Sequence, residues 1–546
     1  MPSNCERDLR AGRQWRAGRY AILLALSLFF AQGCGNSPSS QIEKAETLIA
    51  QGEFAKAVEL LDPLIARDPT SLSALVVRGR ARERLGDEDG ALRDFSHAVA
   101  SFPSSAEAWE ARGSFRARNQ DYEGAMRDLE KASSLTSEPA SILSTMGLIC
   151  FYEGDLKRAR EFFDRSIAAD PRSEGGYFGR VAIHIRNGEY DAAIDEVNAF
   201  LKIRPNDAQA LFRRGFAYLK SFRPQKAVAD FDKALQLDKD MKQIYWYRAE
   251  AHRSLNDLAR ALEDYKKAEE TEPDDPILFL NQGTILMMMG RYQEALEKLR
   301  RAILLDPENP LPYINRAMLH LGTGNLLSAL LDINRALEIR ADDPWLLTKR
   351  AQIFKLMSRG DRALADLSRA IELAPDSHEA LLLRGSMYFN PSQLERAIED
   401  LEEAGRLLPD DPAAYQLLAE ALLRKGYTEE AFKKVGQALE KEPSYVAAYV
   451  TMGDIHLADS HPERALEAYS RALNIDPNHF DARLKRARLR MDLNDYAKAV
   501  EDLGVASKVN PYSGEVYRLR GRCYEALGNE EKAGQDRWRA RVFANR

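Results

Sequence analysis

This chain of 546 residues contains only four cysteines and has little excess charge, with a formal net charge of −6. The lack of a basic excess argues against non-specific nucleic-acid binding, which needs a positively charged surface. The motifs GxxxxGKS/T, GxGxxG, HExxH, GxSxG and paired CxxC are absent in the contexts that their chemistry requires. The sequence therefore predicts neither a catalytic site nor a site for a cofactor or metal.

The sequence also lacks an apolar run long enough to cross a bilayer near its start, because Ala21–Phe30 has only ten residues. Five arginines precede this run, and Ala31-Gln32-Gly33 follows it and leads to Cys34. This order is typical of an export signal peptide. The small residue before Cys34 resembles the bacterial lipobox, although Ala31-Gln32 departs from the preferred pattern.

The resemblance implies a lipoprotein with a signal peptide over residues 1–33 and a diacylated, palmitate-bearing Cys34. Residues 34–40 are expected to form a flexible tether. The expected location is the cell envelope, with the anchor in the outer membrane facing the periplasm. Ordinary secretion and an uncleaved anchor are the alternatives. Of the other cysteines, Cys150 and Cys523 lie eleven repeats apart in the pattern described next and cannot form a bridge within one molecule.

What the sequence has in place of these features is a repeat of 34 residues without insertion or deletion. One slot of the repeat is alanine fifteen times, at positions 57, 91, 125, 159, 193, 227, 261, 295, 329, 363, 397, 431, 465, 499 and 533. The slot twelve residues earlier is glycine or alanine in every repeat but one, where it is Val181. The slot sixteen residues earlier is large and apolar in all repeats except those with Gln41 and Arg483.

The unit from Pro276 to Pro307 reads as two short amphipathic helices joined at Gly290-Arg291. Asp275-Pro276 supplies a capping side chain and an N1 proline to the first helix, and the closing proline stops the second. This pattern resembles the tetratricopeptide repeat, a helix–turn–helix of 34 residues. The resemblance implies an all-α solenoid, a right-handed superhelix of about fifteen units over residues 41–546.

Arginine in the slot before the small residue occurs together with an acid sixteen residues later in ten repeats, and where one is missing the other is missing too. We interpret this joint loss as a structural ion pair between the two helices of a repeat, since a catalytic pair needs one special copy. The pairs are Arg78/Asp94, Arg112/Asp128, Arg180/Glu196, Arg214/Asp230, Arg248/Asp264, Arg316/Asp332, Arg350/Asp366, Arg384/Asp400, Arg486/Asp502 and Arg520/Asp536.

In tetratricopeptide proteins ligands usually lie in a groove lined by the first helix of each repeat. At the corresponding slots the middle repeats are unusually apolar, which favours a peptide-binding surface, although packing between neighbouring repeats accounts for the same pattern. The candidate residues are Phe178, Phe212, Phe216, Trp246, Leu280, Met287, Met288, Ile314, Met318 and Trp345. The lysines and asparagines of the carboxylate clamp found in chaperone-binding members are absent.

The preferred functional hypothesis is a non-enzymatic adaptor that binds an extended segment or helix of a protein partner, without a small-molecule substrate or nucleic acid. The alternative is a self-associating spacer whose repeat ends stack, with Trp538 or Phe543 of the last helix in the contact. The adaptor hypothesis rests on architecture alone.

Overall fold

A computed structural model describes residues 37–543, and in this range the chain forms thirty α-helices and no strand. The all-α class and the helix–turn–helix repeats predicted from the sequence are confirmed.

Odd-numbered helices are the first of each repeat (helix A) and even-numbered ones the second (helix B). They are α1 Pro38–Ala50, α2 Phe54–Arg67, α3 Leu72–Leu85, α4 Glu88–Ser101, α5 Ala106–Arg118, α6 Tyr122–Ser134, α7 Ala140–Glu153, α8 Leu156–Ala169, α9 Glu174–Arg186, α10 Tyr190–Ile203, α11 Ala208–Lys220, α12 Pro224–Leu237, α13 Ile244–Ser254, α14 Leu258–Glu269, α15 Pro276–Met288, α16 Tyr292–Leu305, α17 Pro310–Gly322, α18 Leu326–Ile339, α19 Pro344–Leu356, α20 Gly360–Leu373, α21 His378–Met387, α22 Leu394–Leu407, α23 Pro412–Lys425, α24 Thr428–Lys441, α25 Val446–Ala458, α26 Pro462–Ile475, α27 Phe480–Asp492, α28 Tyr496–Val509, α29 Gly514–Ala526 and α30 Glu530–Val542.

The helices divide into two compact units, the first ending at Arg291 and the second beginning at Tyr292. Within each unit every helix packs against the next one in the chain, and several A helices also contact the A helix of the following repeat. Repeats that touch only their neighbours are the defining feature of a solenoid. Each unit is therefore a stack of helix pairs in chain order.

Local capping defines the ends of the helices. The Asp275 side chain accepts a hydrogen bond from the Ile277 N–H at 2.9 Å, and Pro276 occupies the first helical position, where an N–H is not needed. Between α3 and α4 the chain turns at Gly86, whose φ of 82° lies in the left-handed region. The sequence signals for helix starts and stops thus act as expected.

The alanine slot marks the closest packing between helices. All fifteen of these alanines are completely buried. Because a methyl group lets two helix backbones approach closely, a larger side chain in this slot would push the paired helices apart. The 34-residue alanine series is therefore a requirement of packing.

The tether predicted over residues 34–40 is too long, because α1 begins at Pro38. Ser37 caps this helix by accepting a hydrogen bond from the Ser40 N–H at 3.2 Å, and Pro38 occupies the N1 region. The sequence Ser-Pro-Ser-Ser has a composition typical of linkers, but the same residues also cap and begin a helix. Residues 1–36, with the predicted signal peptide and Cys34, lie outside the described residues. Between residues 37 and 543 no helix combines the length and apolarity that crossing a membrane requires.

Candidate functional site

The ten predicted arginine–acid pairs are in contact. In nine of them the arginine Nε and Nη2 donate to the two carboxylate oxygens of the aspartate at 2.6–2.9 Å. Arg180 donates to Glu196 through Nη2. These forked bonds join helix A to helix B within a repeat, and charge-assisted pairs of this geometry are the strong ones.

The nine aspartates of these pairs lie in the core, which the sequence pattern alone did not show. Each of them is at most 8% exposed, and they are Asp94, Asp128, Asp230, Asp264, Asp332, Asp366, Asp400, Asp502 and Asp536. A partner or ligand outside the stack cannot reach carboxylates at this depth. These candidate residues are therefore structural, and none of them belongs to an accessible binding surface.

Seven of the ten arginines also have a second role that the sequence analysis missed. Their Nη1 reaches back to the residue sixteen positions earlier, on helix B of the preceding repeat, as in Arg78 to Asp62 at 2.8 Å and Arg350 to Asn334 at 3.0 Å. In other repeats this slot holds serine. Because aspartate, asparagine and serine alternate there, no single residue type signals the contact. These arginines therefore hold neighbouring repeats together.

Hydrogen bonding to the paired aspartate raises the pKa of the arginine above its ordinary value. This holds for Arg214, Arg248, Arg316 and Arg384, where the bond to the aspartate is the largest influence and burial opposes it. The arginines are thus held in their charged form by structural partners. Such groups are not poised for proton transfer, which agrees with the structural interpretation of the pairs.

The aromatic candidates of the first unit are packed between helices. Phe178 and Phe216 are buried, and the guanidinium of Arg213 in the next repeat lies 4.5 Å from the centre of the Phe178 ring. Tyr247 of the next repeat fits between Phe212 and Phe216, with ring centroids 5.3 and 5.4 Å away. These side chains fill the contacts between successive repeats and do not line an open groove.

The other candidates of this unit divide between packing and exposure. Leu280 is buried, and Trp246 and Met287 are partly buried. The Trp246 ring packs edge-on against Tyr247 at 5.0 Å. Met288, at the end of α15, is 54% exposed. Packing between repeats, the alternative given above, therefore describes most of the candidates in this unit.

In the second unit Ile314 and Met318 are partly buried and pack on the core formed by α17–α21. Trp345, at the start of α19, is 43% exposed, and the Lys349 ammonium lies 5.2 Å from the centre of its ring. Leu311 and Leu356 are also exposed and occupy helix-A slots that face the groove in this family. In this unit the exposed apolar surface of the predicted groove thus lies on α17 and α19.

A lysine that the sequence analysis missed adjoins this surface. Lys355 of α19 donates a hydrogen bond to the Ser386 hydroxyl at 2.9 Å, and burial lowers its pKa below the ordinary value. Among residues 37–543 it makes no ion pair with a carboxylate. By contrast, Lys349 on the same helix pairs with Glu379. We call Leu311, Trp345, Lys349, Lys355 and Leu356 the Trp345 surface.

The Trp345 surface combines features of a binding site for a protein segment. The indole offers a flat apolar face, and the Lys355 ammonium has hydrogen-bonding capacity beyond the serine. The residues lack the constellation of a catalytic or metal site, and no group of three His, Cys, Asp or Glu side chains within the described chain is placed to hold a metal ion.

Models of the tetratricopeptide repeat match residues 42–96, 78–135, 208–241, 243–275, 276–309, 349–412, 417–480 and 456–522. Sperm-associated antigen 1 of Mus musculus is 28% identical over 131 residues, 23% of this chain and 14% of its own length. Anaphase-promoting complex subunit 3 of Schizosaccharomyces pombe is 22% identical over 202 residues, 37% of this chain and 30% of its own. The chain thus spans less than a third of either relative. In the crystal structure of the APC/C hetero-tetramer Cut9–Hcn1, a chain is similar over 90% of this chain and 97% of its own length, at 14% identity and a TM-score of 0.42. The matched repeats cover more than half of the sequence, and the chain belongs to the tetratricopeptide repeat family.

Proposed function

We propose that this chain is an interaction scaffold that binds an extended segment or a helix of a protein partner at the Trp345 surface. The observation that supports this proposal most strongly is the exposure of Trp345 on α19, the helix that also carries Lys355, a lysine without a carboxylate partner in the described chain. Exposed tryptophans are frequent anchors of protein interfaces. Protein binding is also the general role of the repeat family, and one of the relatives is named as a subunit of a complex.

The chemistry of the surface suggests what the partner presents. An aliphatic or aromatic side chain covers the Trp345 indole and the neighbouring Leu311, where it removes apolar surface from water. A carboxylate or a backbone carbonyl accepts a hydrogen bond from Lys355. Since burial lowers the pKa of Lys355, an anionic partner group also stabilises its charged form. Because Trp345 and Lys355 are separated by about 15 Å along the axis of α19, the preferred segment carries an apolar residue and an acidic one that are spaced to match.

Site-specific photocrosslinking tests this proposal. With p-benzoylphenylalanine at position 345, we expect one discrete crosslinked partner in the native cells, and we expect Lys355→Glu in the same chain to reduce its yield. The same crosslinker at Glu467, an exposed position on helix B of a later repeat, is the matched control. Equal crosslinking from positions 345 and 467, or a yield insensitive to Lys355→Glu, contradicts the proposal.

We further propose that the scaffold is exported and anchored by lipid at Cys34. The support is the sequence Ala31-Gln32-Gly33-Cys34 behind a basic and then apolar segment. Intact mass spectrometry of protein purified from native membranes is expected to give a chain that begins at Cys34 and carries a diacylglycerol group. A chain that still carries Met1 contradicts export, and an unlipidated chain cut in this region supports ordinary secretion.

A further inference from the structure

Each repeat offers a seat for the helix A that follows it. We number the slots so that the invariant alanine is slot 20. In the sixth repeat Phe212, Phe216 and Phe231, at slots 5, 9 and 24, surround Tyr247, at slot 6 of the next helix A, with ring centroids 5.3, 5.4 and 6.5 Å away. Slots 5, 9 and 24 therefore form the seat, and slot 6 of the incoming helix fills it.

The chemistry of the seat matches the residue that enters it. Three rings receive the ring of Tyr247. In the thirteenth repeat Asp454, at slot 9, accepts a hydrogen bond from Lys485, at slot 6 of the next helix A, at 2.5 Å. In the twelfth repeat Gln416, at slot 5, donates to the Thr451 hydroxyl at 2.9 Å. In these three repeats the seat and the side chain that enters it are complementary, whereas in the fifth repeat a cation, Arg213, lies 4.5 Å from the centre of the Phe178 ring.

The seat of the last repeat is cationic. Its three slots hold Arg518, Arg522 and Arg537, which line a cavity of about 380 Å³ between α29 and α30. The lining also includes Arg541 and one acid, Glu525, which pairs with Arg537. Outside the lining, Glu515 pairs with Arg518 and Glu530 with Arg537. Arg522 makes no ion pair with another residue in the range 37–543. By charge complementarity, as between Asp454 and Lys485, this seat fits an acidic side chain at slot 6 of an incoming helix.

The first helix of the same chain carries that side chain. Slot 6 of α1 is Glu43, which is exposed and makes no ion pair within the described part of the chain. Glu43 therefore has the charge and the position that the terminal seat requires.

A second pair of slots matches in the same register. Inside the stack the arginine at slot 7 contacts slot 25 of the preceding helix B, as Arg78 contacts Asp62. At the chain ends slot 7 is Lys44, which is exposed, and slot 25 is Trp538, which is 64% exposed. An ammonium over an indole face is a favourable cation–π contact. Phe543, in contrast, already packs against Tyr517 with ring centroids 5.8 Å apart.

From these two matches we propose that α1 of one copy docks on the α29–α30 end of a second copy, with Glu43 in the arginine seat and Lys44 over Trp538. The contact is head-to-tail, so it leaves a free seat and a free α1 on the two outer ends. It makes no use of the Trp345 surface and is independent of the function proposed there.

Sedimentation velocity of the full chain in detergent tests this contact over a range of concentrations. The wild type is expected to associate, and Arg518→Glu/Arg522→Glu is expected to weaken the association constant by about tenfold or more. Raising the salt from about 0.1 M to about 1 M, which shortens the Debye length from about 10 Å to about 3 Å, is expected to weaken it too. Introducing Glu43→Arg into the Arg518→Glu/Arg522→Glu chain reverses both ends and is expected to restore association.

Two controls separate this contact from general charge effects and from the other proposal. Arg471→Glu, on an exposed part of α26, and Trp345→Ala are both expected to leave association unchanged. A wild-type chain that stays monomeric at every concentration overturns the proposal. The proposal is overturned in that case even when an acidic helix of another protein is found to occupy the seat. Failure of the charge-reversed chain to associate, while circular dichroism shows it folded, overturns it equally.

Discussion

Replacing Gly147 by alanine is expected to lower the free energy of unfolding by about 1–3 kcal/mol, the range for overpacked cores. A Cβ at Gly147 would lie 2.5 Å from Cε1 of Phe163, well inside van der Waals contact. The ring has little room to move, because Gly179 of the next helix A also lies against the same ring atoms. Chemical denaturation with hydrogen exchange on α7–α9 measures the effect, since a solenoid can open locally.

Gly436→Ala is the matched control for this prediction. Gly436 also lies inside a helix, α24, but a Cβ there meets no atom within 4 Å. Alanine is the better helix former by about 0.5–1 kcal/mol, so this change is expected to stabilise the chain. In the double variant Gly147→Ala/Phe163→Leu, the smaller side chain is expected to recover part of the loss. Equal effects of the two glycine changes contradict the packing argument.

The sequence was sufficient to predict the helices and their pairing because these depend on residues within one repeat. The caps at Asp275-Pro276 and the buried alanine series are local features, and the period of 34 residues repeats them. The joint loss of an arginine and its acid in the same repeats predicted the contact between the two helices of a repeat. Fifteen repeats in one chain provide the comparison that otherwise requires related sequences.

The exposure of helix-A residues could not be predicted from their place among the groove-facing slots alone. Phe212 and Trp345 both occupy slots that face the groove in this family, but Tyr247 of the following repeat covers Phe212. Whether a side chain is covered therefore depends on the size of a residue in another repeat. The second partner of the paired arginines was missed for a related reason, since Asp62 and Asn334 share a role but not a residue type.

Removing Asp264 with Asp264→Ala is expected to lower the free energy of unfolding by about 2–4 kcal/mol. The carboxylate is only 4% exposed and accepts two bonds from Arg248, at 2.8 and 2.7 Å. Without it, Arg248 keeps a buried charge and one remaining acid, Asp232, at 2.5 Å. Because that acid and partial hydration of the guanidinium persist, we expect a loss below the full cost of an isolated buried charge.

The two acids that bind Arg248 differ in burial, so their contributions to stability can be compared directly. Asp232 is 47% exposed, so Asp232→Ala is expected to cost about 0–1 kcal/mol, as a surface pair does. Replacing the buried pair by Arg248→Met/Asp264→Leu removes both charges and is expected to recover much of the stability lost in Asp264→Ala. Denaturant unfolding of the four chains, with hydrogen exchange on α13 and α14, measures these differences. Equal unfolding midpoints for Asp264→Ala and Asp232→Ala would mean that the buried pair stabilises the chain no more than a surface pair does. In that case the arginine–aspartate series does not hold the paired helices together.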